Sequence, residues 1–252
     1  MLALALTPTT RRSRHDNITN GMGKVCSKSR LLPPTKPKRM SNPEQASAPS
    51  TTTAPLIPDK IMPGLYVSDI HTARAVLSPN YPSPNRPEIK YVLSVIDKPD
   101  RQPKVTPGDE SKFVLKFVSL RDSVTDDLLE VLEEACDFIR DSLKSNDGGV
   151  LVHCAKGVSR SASVVIGFVM EDMDLEYDTA LRYVRQGRSK VKPNPGFEAQ
   201  LQLWRRLEYS IYEKDGVRHK EEYVIWKANN EEAIKNLALK DTDPHAGKSK
   251  KY

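Results

Sequence analysis

Gly149-Val150-Leu151-Val152-His153-Cys154-Ala155-Lys156-Gly157-Val158-Ser159-Arg160-Ser161 is the stretch that decides the fold. Gly149–His153 follows an Asn-Asp-Gly-Gly turn and reads as a buried strand, the run Ser-Ala-Ser-Val-Val-Ile-Gly-Phe-Val-Met from Ser161 reads as a helix, and only a short loop parts them. Strand, tight loop and helix in that order build an anion site in α/β proteins. The first helical N–H groups lack intrahelical partners and carry the positive end of the helix dipole. Cys154 leaves the strand and Arg160 stands six residues on. A loop of this length, curled round a tetrahedral anion, turns successive N–H groups inward, and Gly157 permits the backbone turn. Arg160 then reaches the same anion with a planar pair of donors that Lys does not reproduce. In such a positive bowl Cys154 is expected as a thiolate, although a lone cysteine is more commonly a buried structural thiol.

Working outward, Leu65–Val67 reads as a short strand, Asp69–Leu77 as a helix capped by Ser68, and Tyr91–Ile96 as a buried strand. Asn80–Pro87 is a proline-rich loop and Lys112–Val118 a further strand. Asp126–Leu143 is predicted helical, because Leu128, Leu129, Leu132, Cys136, Ile139 and Leu143 share one face while Asp126 and Asp127 suit the positive N-terminus. Helices are also expected over Asp178–Arg185 and Phe197–Tyr209, parted by the breaker-rich Lys-Pro-Asn-Pro-Gly, and one more around Tyr223–Leu239. The chain thus divides into a disordered basic tail (1–55), one folded α/β domain (56–212) and a charged C-terminal extension (213–252).

The net charge of +6 hints at a polyanion partner until it is divided along the chain. Residues 1–55 hold nine Lys/Arg against two acids, so the tail carries +7 and the remainder −1. The folded part has no global basic field, and duplex nucleic-acid binding loses its main support. No stretch approaches eighteen consecutive apolar residues, so no membrane span is expected. Three scattered cysteines, Cys26, Cys136 and Cys154, with no CxxC pair, fit a reduced cytoplasmic or nuclear setting and no zinc site. The acid-free opening with its arginines weakly suits a mitochondrial targeting peptide, and Pro-Pro-Thr-Lys-Pro-Lys-Arg a nuclear signal; a solvated tail is the plainer reading of both.

The loop HCxxGxSRS with its apolar helix resembles the dual-specificity protein phosphatases, and the likeness runs from about Ile61 to Leu207: IMPGLYVSD for the opening strand, VLSVI for an inner strand, GVLVHCAKGVSRSAS for the phosphate loop and ALRYVRQGRSKVKPNPGFEAQL for the C-terminal helices. The resemblance implies a small α/β cysteine-phosphatase fold with a central mixed sheet flanked by helices, and catalysis through a phosphocysteine without metal or other cofactor. It implies that Cys154 is the nucleophile, that Ser161 donates to its thiolate, and that residues 153–159 (His153, Ala155, Lys156, Gly157, Val158 and Ser159 around the nucleophile) bind the phosphate. His153 would orient the loop, with a plain structural hydrogen bond as the alternative; Asn194 would brace it; and Arg188 matches a place where some relatives contact a second substrate phosphate. Lys156 at the mouth would favour acidic or multiply phosphorylated substrates.

A leaving oxygen also needs a proton, which a thiolate cannot give. The donor should be an acid on a movable loop. Asp122 lies between a predicted strand and helix, 32 residues before Cys154, a spacing that resembles the family's arrangement. Asp126, Asp127 and Asp97 are the competitors. Cys136 falls on a core face, which argues against a redox pairing with Cys154; Trp204, Tyr209 and Tyr212 read as packing. The expected partner is a phosphorylated protein and the expected state a monomer. Two alternatives stand beside this: a phosphatase for phosphoinositides or other non-protein phosphates, and a phosphate-binding scaffold without turnover.

Overall fold

The structure, a computed structural model, describes residues 56–241. The expectations of a disordered tail, a targeting peptide and a nuclear signal fall on residues 1–55, outside the described residues, as does Cys26.

A five-stranded sheet in the order β1-β2-β5-β3-β4 forms the centre. It is mixed. β1 (Asp59–Met62) pairs antiparallel with β2 (Leu65–Ser68), whereas β2, β5 (Gly149–His153), β3 (Ile89–Ile96) and β4 (Val114–Ser119) run parallel. β5 takes the middle because its run is apolar on both faces, and every one of its residues is buried. Parallel strands end together. The loops that follow β2, β5 and β4 therefore meet at one edge of the sheet, where open α/β folds hold their ligands.

α1 (Ile70–Val76) follows β2, and its cap is Asp69, whose carboxylate accepts from the Thr72 N–H at 2.9 Å. This corrects Ser68, whose hydroxyl donates to the Asp69 carbonyl instead. α2 (Leu129–Ser145) buries Leu129, Leu132, Cys136 and Ile139 on the expected face. It starts three residues later than Asp126, and Asp127 rather than Asp126 serves its first turn, accepting from the Glu130 N–H at 3.1 Å. α3 (Arg160–Asp172) is buried without a break from Arg160 to Met170, the state of a helix apolar all round, and it crosses from the sheet to α4 (Tyr177–Gly187) and α5 (Pro195–Arg206). α6 (Glu221–Asp241) closes the described chain, and Tyr223, beyond the expected domain end at 212, belongs to the same core cluster as Trp204 and Phe168. Among the described residues no helix is long and apolar enough to cross a membrane.

Candidate active site

The loop between β5 and α3 forms a bowl with Cys154 at its floor, 1% exposed. Cys154 Sγ accepts from the Gly157 N–H at 3.2 Å and from Ser161 Oγ at 3.3 Å. Burial pushes this thiol up, but the Ser161 hydroxyl and N–H, the Arg160 charge and the Gly157 N–H outweigh burial and hold it below its ordinary value. Gly157 is obligatory. Its φ is +63°, and a Cβ there would stand 2.4 Å from the Ser68 carbonyl oxygen.

Arg160 begins α3, so its backbone lies at the helix N-terminus while its side chain folds over the bowl. One Nη donates to the Leu120 carbonyl at 3.4 Å, and the buried Nε has no partner. A buried guanidinium N–H with nothing to donate to is costly unless an anion completes it. Cys154, Ala155, Lys156, Val158, Ser159 and Arg160 line a cavity of about 580 Å³ together with Asp122 and the segment Lys192-Pro193-Asn194-Pro195.

Behind the bowl, His153 is fully buried and its Nε2 shares a 2.8 Å hydrogen bond with Ser94 Oγ on β3. Burial, resisted by the Cys154 backbone, brings its pKa down to about 4, so the ring is neutral at physiological pH. Arg188 does not reach the cavity. Its Nε donates to the Gly157 carbonyl at 2.6 Å, one Nη to the Lys156 carbonyl at 3.1 Å, and the other Nη pairs with the Asp59 carboxylate on β1. With 6% of its surface exposed, it braces the loop from behind. The cationic rim is formed by Lys156 and Lys192 instead; the Lys192 N–H is fixed to the Val158 carbonyl at 2.9 Å and its side chain is exposed.

The loop after β4, Leu120–Leu128, brings Asp122 to the cavity. Asp122 Oδ1 accepts from Ser159 Oγ at 2.6 Å and from Asn194 Nδ2 at 3.0 Å. Its competitors are engaged elsewhere: Asp126 with the Arg121 N–H and guanidinium, Asp127 with Tyr223 and Lys227, and Asp97 with Arg101. Only Asp122 of the four lines the cavity. A movable loop was expected, yet this one is tied along its length. Asn194 Nδ2 also reaches the Ser123 carbonyl at 3.3 Å, and buried Gln200 receives the Leu128 and Leu129 N–H groups on its Oε1 while donating to the Asp126 carbonyl at 2.9 Å. α5 approaches so closely that a Cβ at Gly196 would lie 1.9 Å from the Val124 carbonyl oxygen. Sequence reading took Lys-Pro-Asn-Pro-Gly as a separator of helices, with Asn194 as a brace of the phosphate loop by resemblance, and passed over Gln200.

Known proteins resemble the chain over this domain. The family model described as dual specificity phosphatase, catalytic domain, matches residues 80–207. Human dual specificity protein phosphatase 22 is 33% identical over 181 residues, 71% of this chain and 89% of that protein. Human dual specificity protein phosphatase 16 is 36% identical over 158 residues, 62% of this chain. The chain spans 22% of the length of that relative, and 42% of mouse dual specificity protein phosphatase 19, with which it is 42% identical over 94 residues. The crystal structure of human DUSP28 superposes with a TM-score of 0.51 at 26% identity, covering 62% of this chain and 98% of that one. With the strand-loop-helix bowl, the cysteine at its floor and the arginine over it standing inside a matched domain, the chain belongs to the dual specificity phosphatase family.

Proposed function

We propose that the protein hydrolyses phosphate monoesters on phosphotyrosine and on phosphoserine or phosphothreonine of a phosphorylated protein partner, working as a monomer in the cytoplasm or nucleus, where its thiols stay reduced. The observation that carries this reading is a thiol held below its ordinary pKa at the floor of a donor-lined cavity, with a carboxyl group at the rim.

In the first step the Cys154 thiolate attacks phosphorus, an S–P bond forms, and the P–O bond to the substrate breaks with its electron pair on the leaving oxygen. Asp122 gives that oxygen a proton. In the second step Asp122, now a carboxylate, takes a proton from water as the water oxygen attacks phosphorus, and the S–P electrons return to Cys154. Ser161 eases that departure by donating to the sulfur. The depressed pKa does little for the rate by itself. What it adds to the thiolate fraction it largely gives back in nucleophilicity, at a Brønsted slope of about 0.4–0.5. The larger contribution comes from donors already in place for the equatorial oxygens: the loop N–H groups, the α3 N-terminus and the Arg160 guanidinium. His153, neutral and bonded to Ser94, holds the β5 end of the loop without adding charge.

Cys154→Ser tests the covalent step. The variant is expected to lose turnover of phosphotyrosine and phosphoserine peptides while still binding inorganic phosphate in calorimetry, because the site stays positive but the serine hydroxyl stays protonated. Retained turnover would sink the phosphocysteine; lost phosphate binding would sink the bowl. A parallel kcat/KM panel of phosphopeptides and phosphoinositides separates the protein substrate from the lipid alternative, and turnover by the parent excludes a scaffold.

A further inference from the structure

The family match ends at residue 207, but the acid loop is not held by the matched segment alone. Past Leu207 the chain makes a small turn closed by the Tyr212–His219 bridge and enters α6. One stripe of α6 faces the body: Tyr223, Trp226, Lys227 and Asn230, at the three- and four-residue spacing of a helix face. Tyr223 is 1% exposed, stacks on Trp226 at 6.0 Å between centroids and meets the edge of His219 at 5.1 Å.

The polar tips of that stripe converge on the loop carrying Asp122. Asn230 Nδ2 donates to the Thr125 carbonyl at 2.8 Å, the Tyr223 hydroxyl donates to Asp127 Oδ2 at 2.7 Å, and Lys227 Nζ lies 3.4 Å from both Asp127 and Glu130. The front of the loop, Asp122 and Ser123, is tied to Asn194, while the rear, Thr125 and Asp127, is tied to α6. Without α6 the rear is left to Gln200, to the Glu130 N–H on Asp127, and to the Arg121–Asp126 and Ser123–Thr125 bonds within the loop itself.

We propose that α6 is a positioning element for the proton donor, and that it thereby sets how well the site acts on phosphoserine and phosphothreonine relative to phosphotyrosine. This rests on Asp122 as the acid. A phenol has a pKa of about 10, so a phenoxide leaves with modest help, whereas an alkoxide resembles hydroxide, whose parent water stands near 15.7, and scarcely leaves without a proton. General acid catalysis contributes roughly 10²–10⁴-fold, and a displacement of about 1 Å forfeits much of such a contribution. Loosening the rear of the loop therefore taxes the alkyl ester first. The phosphate loop and its thiolate lie outside the reach of α6 and keep their activity.

The test compares the parent, Asp122→Asn, Asn230→Ala and the double variant Tyr223→Phe/Asn230→Ala on a phosphoserine peptide, a phosphotyrosine peptide and 4-nitrophenyl phosphate, at a temperature where circular dichroism shows each folded. Asn230→Ala alters a half-buried helix position and keeps the test valid should the double variant unfold. The expected result is a kcat/KM loss of about 10-fold on phosphoserine, less on phosphotyrosine and under about 2-fold on 4-nitrophenyl phosphate, with the acidic limb of the pH profile unmoved. Asp122→Asn should show the same gradation, steeper, and combining it with the α6 changes should add no further gradation. An α6 penalty equal on all three substrates, beside a graded Asp122→Asn penalty, overturns the positioning role and leaves the acid assignment standing. An Asp122→Asn penalty without gradation overturns the acid assignment and the role of α6 together.

Discussion

The phosphate loop and the acid loop meet at the same edge of the sheet and are built in opposite ways. Residues 154–160 supply their own chemistry: the turn comes from Gly157, the donors are the loop's own N–H groups, and Cys154 is partnered by Gly157 and Ser161 from the same short stretch, while Arg188 and the Lys192 N–H brace the loop's carbonyls from outside. Leu120–Leu128 is tied inside itself only by the Arg121–Asp126 and Ser123–Thr125 bonds and the Asp126 N–H to the Ser123 carbonyl. Its carbonyls and carboxylates are otherwise taken up by Ser159, Asn194, Gln200 and Asn230, from three later parts of the chain: the start of α3, α5 with its cap, and α6. The donors of a binding bowl can be written into one motif because backbone N–H groups are available everywhere. A proton donor must be aimed by side chains, and those must be brought from elsewhere by the fold.

If the contrast is right, damage to the two loops should look different. The largest effect is expected of Arg160→Lys, where a point charge replaces a planar fork: kcat should fall by about 10²–10³, the cost of losing an oriented donor, with the melting temperature close to the parent's. A near-normal kcat would show that charge alone suffices in the bowl. Gln200→Leu should invert the pattern. It strips partners from the Leu128 and Leu129 N–H groups and the Asp126 carbonyl, each buried unsatisfied group costing about 1–3 kcal/mol, so the melting temperature should drop by at least about 4 °C in calorimetry. Should Gln200→Leu melt with the parent, the acid loop would be held by something other than these bonds.

The smallest effect concerns His153, whose folded pKa of about 4 lies below the ordinary 6.5. Between those values the unfolded chain binds the proton that the folded one refuses, so stability rises with pH through the window; the penalty is complete below about 4 and absent above about 6.5. Unfolding free energies measured across that range should show a shallower slope for His153→Asn than for the parent. Equal slopes would mean that His153 takes up its proton without disturbing the fold.

These differences also mark what the sequence could and could not reveal. The bowl was legible because strand, glycine, arginine and apolar helix are contiguous, and each points to the same local geometry. β1 was not: two of its four residues are charged, and it is only an edge strand with an irregular register against β2. Asp122 could be singled out from chemistry and spacing, and Asn194 by resemblance as a brace of the neighbouring phosphate loop, yet Gln200 could not, since a glutamine within an amphipathic helix reads as solvated until the helix is docked. Arg188 illustrates how a long side chain is placed by the acceptors around it, here the Gly157 and Lys156 carbonyls, which no sequence pattern locates.

That arginine has a bearing on how the molecule comes together. Its ion pair with Asp59 joins residues 129 apart, and the same guanidinium clasps the back of the anion loop. Such a closure adds little entropic cost once the sheet has formed, because loop entropy grows only logarithmically with length, but the contact cannot precede the meeting of the first strand with the end of α4. Competence to hold an anion is thus a property of the finished topology rather than of the HCxxGxSRS segment. An unfinished chain carries Cys154 as an ordinary thiol, without the cradle that holds it below its usual pKa.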